Sequence, residues 1–324
     1  MGLPDNAQEG QARQENGHVR KSPDRLKLLK GAVGIYFFFI WYGRIQERIF
    51  KFKTSTGRRF TAVWFLQMVD ALMNMAVGYV GRHVQGSTAG LPQEFLVAAG
   101  VGQVLSKYCT SAALAAGLSF SVATLAKSAK MLPVMIGSLF LGQAEFTLRQ
   151  YVQAAFIVAG TSIVSLTEGR SKKAGGSSKI GLLFITCALC CDGVVGGVQK
   201  RLKVECRKTD QQVRPYDLMF WTNLYMAITS FLFALRAELR EGVIFCLANP
   251  NFAQQVIKLS VCGALGQASV FYTIANFDSV VCAAVTTTRK LMSVLISVLE
   301  GDGLPPMGWL GIGVSSIGIA GELQ

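Results

Sequence analysis

Two short runs carry the residues best placed for chemistry. LAKSAKMLPVMIG (125–137) sets Lys127 and Lys130 three residues apart, and TTTRK (286–290) sets Thr286, Arg289 and Lys290 at i, i+3 and i+4. On a helix each spacing puts the side chains on one face. Both runs lie inside apolar stretches long enough to span a bilayer, with the cations near the middle. One Lys or Arg at the centre of a membrane helix costs about 2.5–3.5 kcal/mol on insertion scales. Lipid cannot accept either face, so both should point at a common interior. Structural ion pairing is one explanation, but the intramembrane acids are few: Asp70, Asp192 and, near a helix end, Glu47. Against them stand Arg44, Lys107, Lys127, Lys130, Arg289 and Lys290. The excess favours a mobile anion. Arg binds phosphate through a bidentate fork and Lys as a point charge. The cluster Lys127, Lys130, Arg289 and Lys290 exceeds what one carboxylate needs and suits a diphosphate or triphosphate.

A nucleotide would also need partners for its base and sugar. Asn74, Tyr108, Asn223, Tyr225, Gln267, Tyr272 and Thr286 lie in apolar segments and could stack on a base or pair with its edge. Ordinary helix–helix hydrogen bonding is the competing explanation for each. An enzyme is disfavoured. The two histidines are His18 and His83, both outside the apolar core, so a His-centred acid–base or metal site is not expected there. Neither a Walker-type phosphate loop nor a GxSxG elbow occurs. Cys187 and Cys190 form a CxxC without a second pair or histidine nearby, so no metal, no cofactor and no disulfide is expected.

These residues must be positioned by membrane helices. The chain of 324 residues is 51% hydrophobic and 16% charged, against about 25% charge in a soluble domain. Taking about 20 apolar residues per span predicts an all-α, polytopic membrane protein with ten transmembrane helices. They cover 31–50, 60–80, 94–115, 119–141, 147–167, 179–200, 216–236, 254–275, 279–299 and 305–322. Residues 1–30 read as a disordered polar tail without a cleavable signal, and 31–324 as one transporter domain. That domain divides into repeat one (31–167), a Gly/Ser/Lys linker (168–178) and repeat two (179–322). A shift of 160 residues lays VATLAKSAKMLPVMIGSLFLG (122–142) on CAAVTTTRKLMSVLISVLEG (282–301), with Lys130 on Lys290 and Ser119 on Ser279. Five spans per repeat, an odd number, make the repeats inverted, an architecture of secondary transporters with the substrate near the midplane. Pro133, one turn beyond Lys130, predicts a bend in the fourth span. The even span count places both termini on one side, and a slight excess of Lys and Arg there, with KRLKVECRK (200–208), predicts that side to be cytosolic.

YGRIQERIF (42–50), KSAKMLPVM (127–135), CGALGQASVFYTI (262–274) and TTTRK (286–290) resemble the endoplasmic reticulum branch of the nucleotide-sugar transporters, in the drug/metabolite transporter superfamily. That branch includes UDP-galactose and UDP-glucose transporters, a proposed ATP/ADP exchanger and, more distantly, PAPS transporters. The resemblance runs in order from about residue 31 to 321. It implies ten helices in two inverted repeats, alternating access and antiport. It also implies phosphate contacts for Lys127, Lys130, Arg289 and Lys290. The implied partners are a nucleotide-sugar or nucleotide and the lipid bilayer of the endoplasmic reticulum or Golgi, with no nucleic acid. UDP-galactose or UDP-glucose is the leading cargo, ATP/ADP or PAPS the alternative, and a non-nucleotide metabolite the third. MFWTNLYM (219–226) keeps Asn223 but departs around it, which leaves base preference open.

Overall fold

The computed structural model describes residues 25–52, 60, 62–116, 126–127, 129–142, 146–171, 179–277, 279–286, 288–289 and 306–322. Tail residues 1–24, linker residues 172–178, Ser119 and Lys290 lie outside them. Every described regular element is a helix: α1 (Arg25–Lys51), α2 (Val63–Gln85), α3 (Gln93–Ala115), α4 (Met131–Phe140), α5 (Leu148–Ser171), α6 (Lys179–Lys208), α7 (Pro215–Ala248), α8 (Pro250–Asn276), α9 (279–286) and α10 (Pro306–Glu322). Five are long and apolar enough to cross a membrane: α1, α2, α6, the first two-thirds of α7, and α8. The protein is therefore an all-helical, polytopic membrane protein.

Proline and glycine punctuate these helices for physical reasons. α7, α8 and α10 each open on proline, whose missing N–H would have no intrahelical partner in the first turn. α2 stops at Gly86, whose φ of 82° is strained for a residue with a Cβ. Two boundaries lie beyond the hydropathy signal. α1 already begins at Arg25, within the segment expected to be tail. α6 runs to Lys208 because Glu205 bridges Arg201 at 2.9 Å and Lys208 at 3.0 Å, which supports a polar helical extension.

Helix pairing follows small residues. Gly78 on α2 abuts Phe220 on α7, and Gly242 on α7 abuts Phe65 on α2, so this pair is antiparallel. α1 and α8 are antiparallel too, with Gly31 against Thr273 and Gly34 against Ser269. So are α3 and α6, where Gly102 meets Val195 and Ser106 Oγ lies 3.0 Å from Ala188 O. α4 runs parallel to α6. A methyl group on Gly137 would collide with the Gly193 carbonyl, and one on Gly197 with the Gly137 carbonyl. Such close approach is how membrane helices gain packing energy without a hydrophobic drive. The pairs α1–α8 and α3–α6 interchange when each helix is renumbered five places along, while α2–α7 and α5–α10 map onto themselves.

The two ends of the α2–α7 pair are closed differently. At one end Asp217, fully buried on α7, lies 2.8 Å from Arg82 Nε on α2 and accepts from the Thr88 amide at 2.9 Å. Arg82 stacks over Phe220 and Trp221, Thr88 Oγ1 donates to Gln212 O at 2.8 Å, and Arg214 donates to Gln85 O. The 86–92 loop is thereby latched to the 209–214 loop. At the other end Phe52, Phe60, Phe65, Phe245 and Phe252 form an aromatic cluster, with Phe60 and Phe252 centroids 4.9 Å apart.

Candidate functional site

The lysines of the fourth predicted span sit at a break in its helix. Residues 126–127 are helical, 129–130 form a turn, and α4 begins at Met131. Pro133 explains the break. It has no N–H for the Ala129 carbonyl four residues earlier, which instead accepts from Leu132 at 3.2 Å, one residue short of α-helical register. The irregularity falls before the proline, at KSAK itself, and Pro133 occupies the first turn of α4, where it is well tolerated.

Asp192 and Asp70 are each taken up by one of the cations. Lys127 Nζ lies 2.7 Å from Asp192 Oδ2 and 2.8 Å from Ser106 Oγ, which itself donates to Asp192 Oδ1 at 2.6 Å. Lys107 lies 3.6 Å from Asp70. Lys127 is thus held by a three-residue network joining the fourth span to α3 and α6. Lys130 is half-buried and makes no ion pair among the described residues. It lies within electrostatic range of Arg289, Lys127 and Asp192.

The second cationic run meets the first through packing. Met131, Val134 and Met135 on α4 share a buried cluster with Ala154 and Ile157 on α5 and Val280, Ala283 and Ala284 on α9. Beyond α9, Arg289 donates to the Phe39 carbonyl at 2.9 Å and sits over the Phe39 ring, with its guanidinium carbon 5.3 Å from the centroid. Thr288 Oγ1 lies 2.6 Å from Tyr36 Oη, and its backbone segment is therefore tied to α1. Lys203 Nζ reaches the Phe277 carbonyl at 2.9 Å and Ser279 bonds Gln199 at 3.0 Å, which fixes the start of α9 on α6. The segments that carry Lys130 and Arg289 therefore pack together, and the two cations lie within electrostatic range of each other. Lys290 falls outside the described residues.

The base and sugar candidates separate into several settings. Asn223 is fully buried and donates to Met219 O of its own helix at 2.7 Å, leaving its Oδ1 without a hydrogen bond among the described residues. Tyr225 donates to Gln93 at 3.0 Å and stacks on Trp221. Tyr108 stacks on Trp64, centroids 4.8 Å apart, with Phe233 also stacked on Trp64. Thr286 bonds Ala283 O within α9 at 3.0 Å. Tyr272 and Gln267 are half-buried on α8. Asn74 is buried beside Asp70, 3.5 Å away. Sequence reasoning missed Ser106 and the Thr288–Tyr36 contact, since single hydroxyl residues in apolar helices carry no pattern. The described contacts place cations near the α4–α9 packing and the aromatic and amide candidates in separate settings on α2, α3, α7 and α8.

The UAA transporter family model matches residues 27–312, nearly the whole chain. The chain belongs to the UAA transporter family. This transporter is 28% identical over 300 residues to the solute carrier family 35 member B1 homolog of Drosophila melanogaster, covering 89% of the chain and 87% of that protein. It is 30% identical over 298 residues to UDP-galactose/UDP-glucose transporter 3 of Arabidopsis thaliana, covering 88% of each. It is also similar to human adenosine 3'-phospho 5'-phosphosulfate transporter 1, at 27% identity over 304 residues, or 89% of the chain and 67% of that protein. A solved crystal structure superposes with a TM-score of 0.63 over 91% of the chain and 96% of its own, at 15% identity, which shows a shared fold. Family membership makes the protein a transporter of nucleotide-sugars or related nucleotide derivatives rather than an enzyme.

Proposed function

We propose that this chain is an antiporter that carries UDP-galactose or UDP-glucose into the lumen of the endoplasmic reticulum or Golgi in exchange for a nucleotide. The observation that supports it most is the pairing pattern of the intramembrane charges. Asp192 and Asp70 engage Lys127 and Lys107, while Lys130, which has no ion pair among the described residues, lies within electrostatic range of Arg289. Two like charges near each other in a low-dielectric interior are unfavourable, and a phosphate between them reverses the sign of the interaction. Lys130, Arg289 and Lys290 then form the phosphate clamp, with Lys127 orienting its edge. The antiparallel pairs α1–α8, α2–α7 and α3–α6 support a ten-span architecture of two inverted repeats, in which the broken fourth span and the ninth enter the midplane from opposite faces. In that topology the latched 86–92 and 209–214 loops lie on the cytosolic face with the termini.

The relative named for PAPS transport keeps adenine nucleotides as the second reading. Thermal unfolding of the purified protein separates the two. A cognate ligand at a hundredfold excess over its dissociation constant stabilises by about 2.7 kcal/mol. UDP-galactose or UDP-glucose is therefore expected to raise the midpoint by several degrees, above ATP, ADP and PAPS at equal concentration. A shift with the adenine nucleotides alone would move the assignment to them, and no shift with any phosphorylated ligand would overturn the clamp.

A further inference from the structure

The inner face of α2 carries a polar set that the cationic centre leaves unexplained. Gln67, Asp70 and Asn74 recur at i, i+3 and i+7, so they share one stripe of the helix. Their exposures are 7%, 7% and 3%, and Ser260 on the adjoining α8 is fully buried. Each nonetheless has a side-chain atom with no hydrogen-bond partner among the described residues: Gln67 Nε2, Asp70 Oδ1, Asn74 Oδ1 and Ser260 Oγ. Buried polar atoms in native proteins are nearly always paired, so three orphans on one stripe of α2 and a fourth on the adjoining α8 call for a ligand or bound water.

We propose that Gln67, Asp70, Asn74 and Ser260 form the subsite for the sugar hydroxyls of the transported nucleotide-sugar, an assignment that rests on the nucleotide-sugar reading above. The chemistry fits hydroxyls. Gln67 Nε2 only donates, Asp70 Oδ1 and Asn74 Oδ1 only accept, and Ser260 Oγ does both. A sugar hydroxyl is both donor and acceptor, so a ring bearing several can satisfy this mixed set. A further phosphate or sulfate cannot, because Asp70 would repel it. The position fits as well. Asp70 Oδ1 and the Tyr42 ring converge on Gly263: they lie 2.7 Å and 3.1 Å from where a Cβ on Gly263 would stand, so any side chain there would crowd the carboxylate. Tyr42 in turn packs edge-on against Phe39, centroids 5.8 Å apart, and Phe39 is the ring that Arg289 covers, which links the polar stripe to Arg289 of the phosphate clamp. Lys107, paired to Asp70, keeps 47% of its side chain exposed well inside α3. A lysine exposed at that depth faces an aqueous opening, since lipid would not accept it.

The test compares a sugar-bearing ligand with the same nucleotide lacking the sugar. Dissociation constants are measured for UDP-glucose and UDP on wild type, Asp70→Asn and Gln67→Met, two variants that preserve side-chain shape. The preference for UDP-glucose over UDP is expected to fall about tenfold in Asp70→Asn, the loss of a charge-assisted contact, and to fall to a smaller extent in Gln67→Met. Equal losses for both ligands, or no change in either, would overturn the subsite and leave the stripe hydrated or purely structural. Wild-type binding of ATP or PAPS with none of UDP, UDP-glucose or UDP-galactose would overturn the nucleotide-sugar reading itself, and this subsite with it.

Discussion

Lys130→Ala is expected to weaken nucleotide-sugar binding by tenfold or more while leaving the thermal midpoint of the ligand-free protein close to wild type. A charge-assisted hydrogen bond contributes about 1.5–3 kcal/mol, and about 1.4 kcal/mol is a factor of ten in affinity. Lys130 has no acidic partner among the described residues, so its removal strands no carboxylate. Lys127→Ala should behave differently. It leaves Asp192 and Ser106 without their ammonium, so it is expected to lower the midpoint as well as the affinity. Arg289→Lys keeps the charge but loses the fork that engages two oxygens at once, and it should fall between wild type and Lys130→Ala in affinity. Calorimetric titration together with thermal unfolding of each variant distinguishes these outcomes. A Lys130→Ala protein that binds like wild type would contradict the clamp.

The second large effect is structural. Asp217→Ala is expected to destabilise the protein by about 3–5 kcal/mol, the cost of breaking a buried ion pair by removing one member. Asp217 is fully buried in the first turn of α7, where it pairs with Arg82 and accepts from the amide of Thr88 in the 86–92 loop. Its loss would leave the Arg82 guanidinium between Phe220 and Trp221 without an anion. Arg82→Ala should cost a similar amount, and the double variant should cost little more than either alone, because both remove one interaction. Thermal midpoints in a single detergent measure this. Additive losses would mean that the two residues stabilise different contacts.

The sequence made the membrane class legible and singled out the cations of the predicted fourth and ninth spans, because a charge inside an apolar run has few physical explanations. It also showed that the intramembrane acids are outnumbered. It could not show which cations those acids engage. That depends on rotation about each helix axis, and nothing in LLFITCALCCDGVV tells that Asp192 faces Ser106 and Lys127. Pro133 signalled an irregular fourth span, but the irregularity lies N-terminal to the proline, where the carbonyl it fails to satisfy is located. Hydropathy also ended the sixth and seventh spans early. α6 continues to Lys208 and α7 to Ala248 through charged turns that local ion pairs and tertiary packing keep helical. The Arg82–Asp217 latch was illegible for a similar reason: its members are 135 residues apart, and each reads alone as an ordinary charge at a helix end.

Exchange across a bilayer tests the central claim most directly. In proteoliposomes, vesicles preloaded with UMP are expected to take up labelled UDP-galactose or UDP-glucose far faster than empty vesicles. The empty clamp would leave the like charges of Lys130 and Arg289 near each other with no phosphate between them, so the carrier should reorient readily only when loaded at both faces. Equal initial rates with and without internal nucleotide would contradict obligatory exchange, and absence of nucleotide-sugar uptake under both conditions would contradict the proposed function.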